Sequence, residues 1–329
     1  MKAWLLDGFT GLDRLRLAEA PDPVPQPGEA VVEIDYAALN PADRYLAEGQ
    51  YPAKPTLPHI LGRDGIGTVI AVGPDVSEVR VGDRRVILRG VVGVDKPGTF
   101  AERVAVPVQN LVEVPAGWSE QEAAGATLVY LTAYQALTQW ETLPSAAVVL
   151  VTGASGGVGV AAVQLAAALG HKVIALSRSP EKSQRLRQIG AAATFDPEDP
   201  QWRKVLGAML APLRVDLAID NIGGKLLPQV IETLGELGKV SLVGRLAGPV
   251  PNFNTASVFF RRIRLGGVAV GAYTNAESRQ AWDEVLKLLS RRAARPLVDH
   301  LFPFDQLPAA FNRLAQGPMG KVLLAVKEG

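Results

Sequence analysis

The stretch AVVLVTGASGGVGVAAVQLAAALGHKVIALS, residues 147–177, decides the reading of this chain. It opens on an apolar run bounded by glycine, the pattern of a buried strand. The turn Gly153-Ala154-Ser155-Gly156-Gly157-Val158-Gly159 follows, then the helix-length segment VGVAAVQLAAALG, then a second strand, KVIALS (172–177). Strand, glycine turn, helix and strand on this spacing predict a dinucleotide site. There the chain reverses tightly, a pyrophosphate approaches the backbone and the helix packs close to the strand, so side chains are unwelcome at three points. The helix N-terminus offers unpaired N–H groups and a partial positive charge to the phosphates.

The end of the second strand bears on the cofactor. NAD sites usually place Asp or Glu there, and that carboxylate would repel a 2′-phosphate. This chain instead has Ser177-Arg178-Ser179-Pro180-Glu181-Lys182. Two cations and two hydroxyls suit a phosphate dianion, so NADPH is expected.

Outward from this core, SPEKSQRLRQIG predicts the next helix, and VDLAID (215–220), GKVSLVG (238–244) and RLGGVAVG (264–271) continue the strand theme. Alternating β and α units of this length predict an α/β fold with a doubly wound parallel sheet of the Rossmann type. The preceding third is β-rich: AVVEIDYAAL (30–39), GIGTVIAVG (65–73), RRVILRGVV (84–92) and ERVAVP (102–107) lie between Gly, Pro and Asp clusters. This spacing predicts a small barrel or sandwich. Ser119 and Glu122 form a capping box expected to open a helix running to about Leu137. From Ala272 a tail with one amphipathic helix, AWDEVLKLLSRR, and a strand, KVLLAV, is expected to rejoin the first domain. The expected domains are 1–121, completed by 272–329, and 122–271.

Composition narrows the chemistry. Among 329 residues there is no cysteine, which excludes disulfides, thiolate catalysis and sulfur-ligated zinc. The 34 Lys and Arg nearly balance the 33 Asp and Glu, a formal charge of +1, so nothing draws the chain to nucleic acid or an acidic membrane. The N-terminus lacks the apolar core of a signal peptide, and no apolar run approaches bilayer length, so a cytoplasmic protein is expected.

Several segments in order carry a resemblance: Asn40-Pro41-Ala42-Asp43, GRDGIGTVIAVG (62–73), VGDRRV (81–86), GTFAERVAVP (98–107), EAAGATLVYLTAYQAL (122–137), the glycine turn, VDLAIDNIGG (215–224) and GKVLLAV (320–326). Over nearly its full length the chain resembles the medium-chain dehydrogenase/reductase superfamily, within it the zinc-free quinone oxidoreductase branch. The resemblance implies a GroES-like β-barrel domain beside the Rossmann domain, an active site in the cleft between them, and a homodimer or tetramer. Zinc members place Cys where Asn40 stands and a His-Glu pair where Arg63-Asp64 stands; here those ligands are absent, and no metal is expected. By position, Asn40, Thr127, Asn221, Gly244, Arg245, Val270, Gly271, Tyr273 and Lys321 join the glycine turn, Ser177, Arg178 and Lys182 as cofactor contacts. Asn40, Tyr45 and Tyr51 are the implied catalytic groups. Two positions depart from the branch: Pro197 replaces a Tyr and Gln316 an Arg.

Alcohol oxidation needs a Lewis acid or a strongly tuned base. Zinc ligands are missing, and no tyrosine is followed by lysine four residues on. Hydride addition to a quinone or α,β-unsaturated carbonyl demands less: an electrophilic carbon, correct orientation and a few donors for the oxygen. That reaction is the expected one. An enoyl-thioester reductase, or an NADPH-binding structural or RNA-associated protein of the crystallin kind, are the alternatives.

Overall fold

The computed structural model describes residues 1–141, 143–250 and 253–327, and it divides into two compact units. The first comprises Met1–Leu128, Tyr273–Gln280 and Arg295–Gly329; the second comprises Val129–Ala272 and Ala281–Ala294. The first border lies beyond residue 121 because the helix Glu120–Ala124 packs on strands of the first unit. The tail is also shared: residues 281–294 go with the second unit.

In chain order the first unit supplies β1 (Lys2–Leu6), β2 (Leu15–Glu19), β3 (Glu29–Ala38), β4 (His59–Ile60), β5 (Asp64–Val72), β6 (Arg84–Ile87), β7 (Arg103–Pro107) and β8 (Leu111–Glu113). The second supplies β9 (Val148–Val151), β10 (Lys172–Leu176), β11 (Ala191–Phe195), β12 (Val215–Asp220), β13 (Leu234–Leu242) and β14 (Arg264–Gly267). The tail returns β15 (Val298–Pro303) and β16 (Lys321–Ala325) to the first unit.

The first unit holds a large sheet in the order β15-β16-β3-β5-β6-β8, with β7 also on β3, and a small sheet β2-β1-β4. Period-two patterning builds it: in β7, Val104 and Val106 point into the core while Arg103 and Ala105 are half-buried. Val32, Ile34, Val69, Ile87, Val322 and Leu324 fill the same core. β16 runs antiparallel to β3, with Leu323 opposite Ala38. That register sets Lys321 beside the segment leaving β3, where Asn40 lies.

The second unit is a six-stranded parallel sheet, β11-β10-β9-β12-β13-β14. β9 is buried along its whole length, hence its unbroken apolar run. It neighbours both β10 and β12, so winding reverses there, the switch point at which such sheets bind ligands.

Three elements differ from their sequence expectation. The helix expected from Ser119 to about Leu137 is two: its capping box forms, but it stops at Ala124 and a second helix spans Thr127–Thr138. The break lies against Lys321, whose Cγ would be 3.0 Å from a Cβ placed on Gly125. β6 ends at Ile87 instead of reaching 92; beyond it the chain turns, the Val94, Asp95 and Lys96 N–H groups all bonding the Val91 carbonyl. β14 covers only Arg264–Gly267, and Val270–Ala272 forms a 3-10 turn.

Candidate functional site

In the second unit the glycine turn joins β9 to the helix Gly157–Ala168, with Gly156 as its N-cap. Its glycines serve distinct purposes. Gly153 has φ +56°, in the left-handed region. A Cβ on Gly159 would lie 2.3 Å from the Gly153 carbonyl oxygen, so that position permits the close packing of helix on turn. A Cβ on Gly156 would meet only the Gly153 oxygen, at 3.5 Å, leaving open space at the helix N-terminus. A pyrophosphate approaching the helix N–H groups needs that space.

The neighbouring strand end is braced from within. The Thr152 hydroxyl donates to Asp220 Oδ1 at 2.7 Å, and the Ile222 and Gly223 N–H groups donate to the same carboxylate at 3.2 and 3.0 Å. Burial pushes the Asp220 carboxyl up, and these bonds only partly offset it. Asn221 donates from its side chain to the Thr152 carbonyl at 2.8 Å, while its buried Oδ1 has no partner among the described residues. An orphaned acceptor at a strand C-terminus fits an amide-bearing ligand such as a nicotinamide ring. The Gly244–Gly248 loop packs against it: a Cβ on Gly244 would come within 2.8 Å of the Asn221 carbonyl oxygen, and Arg245 is exposed. Thr152 and Asp220, which set this geometry, had no signal in the sequence beyond lying at strand ends.

Ser177, Arg178 and Lys182 gather where β10 meets the helix Pro180–Gln188, whose N-cap is Ser179. Arg178 is exposed and makes a 3.3 Å ion pair with exposed Glu198. Such a pair contributes little and releases its arginine readily.

Asn40, Thr127 and Lys321 converge in the first unit, around a residue the sequence marked only as a missing metal ligand. Asp64 is fully buried at the start of β5. Its Oδ2 accepts from Asn40 Nδ2 at 3.0 Å and Lys321 Nζ at 3.1 Å. Its Oδ1 accepts from the Leu128 N–H at 3.2 Å and lies 3.1 Å from the Thr127 hydroxyl, which also reaches the Ile87 carbonyl at 2.8 Å. Lys321 Nζ makes two further bonds, to Asn40 Oδ1 at 2.7 Å and the Leu39 carbonyl at 2.9 Å. An ammonium group has three donors, so its capacity is filled. The Asn40 amide is likewise engaged, with Asp64, Lys321 and, at 3.5 Å, the Ala38 carbonyl. The sequence expectation gave Asn40 a donor for substrate; in this structure its amide is committed inside the protein.

Tyr51 stands apart from that cluster. The Arg63 guanidinium lies over its ring, 4.4 Å from the centroid, and the Arg89 guanidinium attracts its hydroxyl. Arg63 is buried and fixed in turn by Asp43 Oδ1 and the Ala42 carbonyl, each at 3.0 Å. Asp43 Oδ2 accepts the Asn40 backbone N–H at 2.9 Å, opening the helix Pro41–Ala47 that carries half-buried Tyr45. Beside Arg63, buried His59 is pulled down to about 4 by burial, which outweighs a bond to the Gly93 backbone. Of the remaining expected contacts, Val270 and Gly271 lie in the 3-10 turn of the second unit, and half-buried Tyr273 is counted with the first. Among the described residues, no group of three His, Cys, Asp or Glu side chains is placed to hold a metal, and no helix is long and apolar enough to cross a membrane.

Comparison with known proteins agrees with both units. Residues 26–116 match the alcohol dehydrogenase GroES-like domain, and residues 157–291 the zinc-binding dehydrogenase family. The chain is 30% identical to the human synaptic vesicle membrane protein VAT-1 homolog, covering 98% of this chain and 86% of that one. It is 28% identical to the quinone oxidoreductase of Lama guanicoe, covering 99% and 98%. Among solved structures, an NAD-dependent alcohol dehydrogenase superposes with a TM-score of 0.91 at 29% identity, covering 99% and 100%. The mycobacterial protein Rv1454c, complexed with NADPH, gives 0.88 at 27% identity, covering 99% of each chain. The chain belongs to the medium-chain dehydrogenase/reductase superfamily, in its quinone oxidoreductase-like branch.

Proposed function

We propose that this oxidoreductase uses NADPH to reduce a quinone or an α,β-unsaturated carbonyl compound without a bound zinc ion, in the cytoplasm. The observation that carries the reading is the cluster at Asp64. Where zinc relatives keep metal ligands, a lysine ammonium is the buried cation, and it is already bonded to both Asn40 and Asp64. Without a Lewis acid, an acceptor activated by its own conjugation is the fitting substrate. Bound NADPH would supply the hydride. Gly156 and the helix behind it would hold the pyrophosphate, Asn221 Oδ1 the carboxamide, and Arg178 with Lys182 the 2′-phosphate. Tyr51 takes the role of donor to the substrate oxygen, its ring held under the Arg63 guanidinium and its hydroxyl drawn toward the Arg89 guanidinium. Asn40 then acts as a positioning residue, tying the start of the Tyr45 helix to Asp64. An enoyl thioester is a conjugated carbonyl too, and remains the second substrate class.

The test is NADPH oxidation by 9,10-phenanthrenequinone in metal-free buffer. The Arg178→Ala/Lys182→Ala double variant should raise KM for NADPH by about tenfold or more, the effect of losing charged phosphate contacts, with far less change for NADH. Equal losses with both cofactors would show that these side chains support the fold instead, and no turnover with any quinone or enone would sink the function.

A homodimer belongs to the same proposal. β14 is the sheet edge, but its apolar content is modest; the larger apolar surface is Phe259 and Phe260, whose tilted rings lie 4.3 Å apart and which are 59% and 78% exposed. An open edge beside such a patch invites pairing with a second copy. Light scattering should give twice the chain mass, and Phe259→Asp/Phe260→Asp should halve it. A wild-type monomer at micromolar concentration contradicts this.

A further inference from the structure

Several arginines on or next to the strands of the first unit's large sheet are paired with carboxylates. Arg84 pairs with Asp35 and Glu120, Arg85 with Asp83, Arg103 with Asp22, and buried Arg63 with Asp43. Arg89, two residues beyond β6, is half-buried and has no carboxylate at ion-pair distance among the described residues; the neighbouring polar group that attracts it most is the Tyr51 hydroxyl. A guanidinium has more N–H donors than one phenol oxygen accepts, and stripping water from an unpaired charge is costly. Asp95 attracts it only from a distance, and Arg63 repels it.

The backbone holds Arg89 in place. Asn110, 2% exposed, donates to the Arg89 carbonyl at 3.2 Å, and its own carbonyl accepts the Leu88 N–H at 2.7 Å. A Cβ on Gly90 would come within 2.7 Å of the Asn110 amide, so this approach requires a glycine. The arginine is therefore presented from a fixed backbone beside a fixed tyrosine. Such preorganisation has a use when a ligand supplies the missing charge.

We infer that Arg89, seated against the Tyr51 hydroxyl, binds an anionic group, a carboxylate in its simplest form, carried by the substrate. The planar fork of a guanidinium matches a carboxylate in a way a neutral quinone does not exploit. The inference rests on the proposal that Tyr51 serves the substrate, and it narrows the substrate class to acidic conjugated carbonyl compounds.

Two substrates that share one conjugated ketone test it: 4-oxopent-2-enoate and its methyl ester. The wild-type enzyme should have the higher kcat/KM for the acid. In Arg89→Met, and in Arg89→Gln should the first variant fold poorly, the acid-to-ester ratio of kcat/KM should fall by about tenfold or more, the effect of losing a charged hydrogen bond. A ratio that does not change overturns the inference. Binding is read separately as the thermal shift given by 4-oxopentanoate, the saturated acid. If neither substrate is reduced but this acid stabilises the wild type and not the variant, the anion site stands and the conjugated-carbonyl reading falls. If neither substrate is reduced and the acid stabilises wild type and variant alike, or neither, the anion site is overturned.

Discussion

Replacing Lys321 by Met is expected to destabilise the protein by about 3–5 kcal/mol, the range for removing one partner of a buried ion pair. The variant would leave Asp64 without its cation in a region where neither residue meets water, Lys321 being 4% exposed and Asp64 fully buried. Asn40 Oδ1 would lose its 2.7 Å donor as well. Urea denaturation checks the size of the loss. Adding Asp64→Asn to Lys321→Met should recover part of it, because the charge left behind is then removed. The cofactor role that the resemblance gives Lys321 predicts something else: weaker NADPH binding with stability intact. A loss below about 1 kcal/mol together with a large rise in the NADPH Kd would decide for that role and against a closed cluster.

The nucleotide unit was largely legible in the sequence because its requirements are local. Gly153 needs its left-handed φ within one turn of chain, Gly159 packs against atoms six residues back, and β9 is apolar because both faces are buried. The first unit was less so. Asp64 and Lys321 are 257 positions apart, and only the pairing of β16 with β3 brings them together. From sequence, Arg63 and Asp64 could be read only as absent zinc ligands, not as the fixing points of Tyr51 and Asn40. The same long-range contact explains the misplaced helix: the capping box at Ser119 is a sound start signal, but nothing near Gly125 announces that Lys321 packs there. Where Arg89 lies depended equally on a distant residue, Asn110, which bonds the Leu88 N–H and the Arg89 carbonyl.

His59 yields the second large effect, a loss of stability in mild acid. It lies on β4 opposite Leu6, 3% exposed, with Nε2 lacking a partner among the described residues. Burial, and Arg63 nearby, hold its pKa at about 4 against an ordinary value of 6.5, with Asp95 and the Gly93 backbone pulling the other way. The folded-state value is thus the lower one. Above about pH 6.5 the ring is neutral in both states and costs nothing. As the pH falls below that value the unfolded chain takes up a proton that the folded ring refuses, so stability declines until about pH 4, where the folded ring protonates too. At about 1.4 kcal/mol per pH unit the total is about 3 kcal/mol. His59→Gln removes this term while keeping a side chain able to bond Gly93. The stability difference between wild type and variant should therefore shift against the wild type by about 2–3 kcal/mol between pH 7 and pH 4.5, beyond any cost the substitution carries at both pH values. Taking the difference cancels the carboxylates, buried Asp43 and Asp220 among them, that titrate in both proteins. An NMR titration supplies the direct check: a His59 ring that protonates near pH 6.5 in the folded protein would mean that water reaches Nε2, and the acid sensitivity would then have to arise elsewhere.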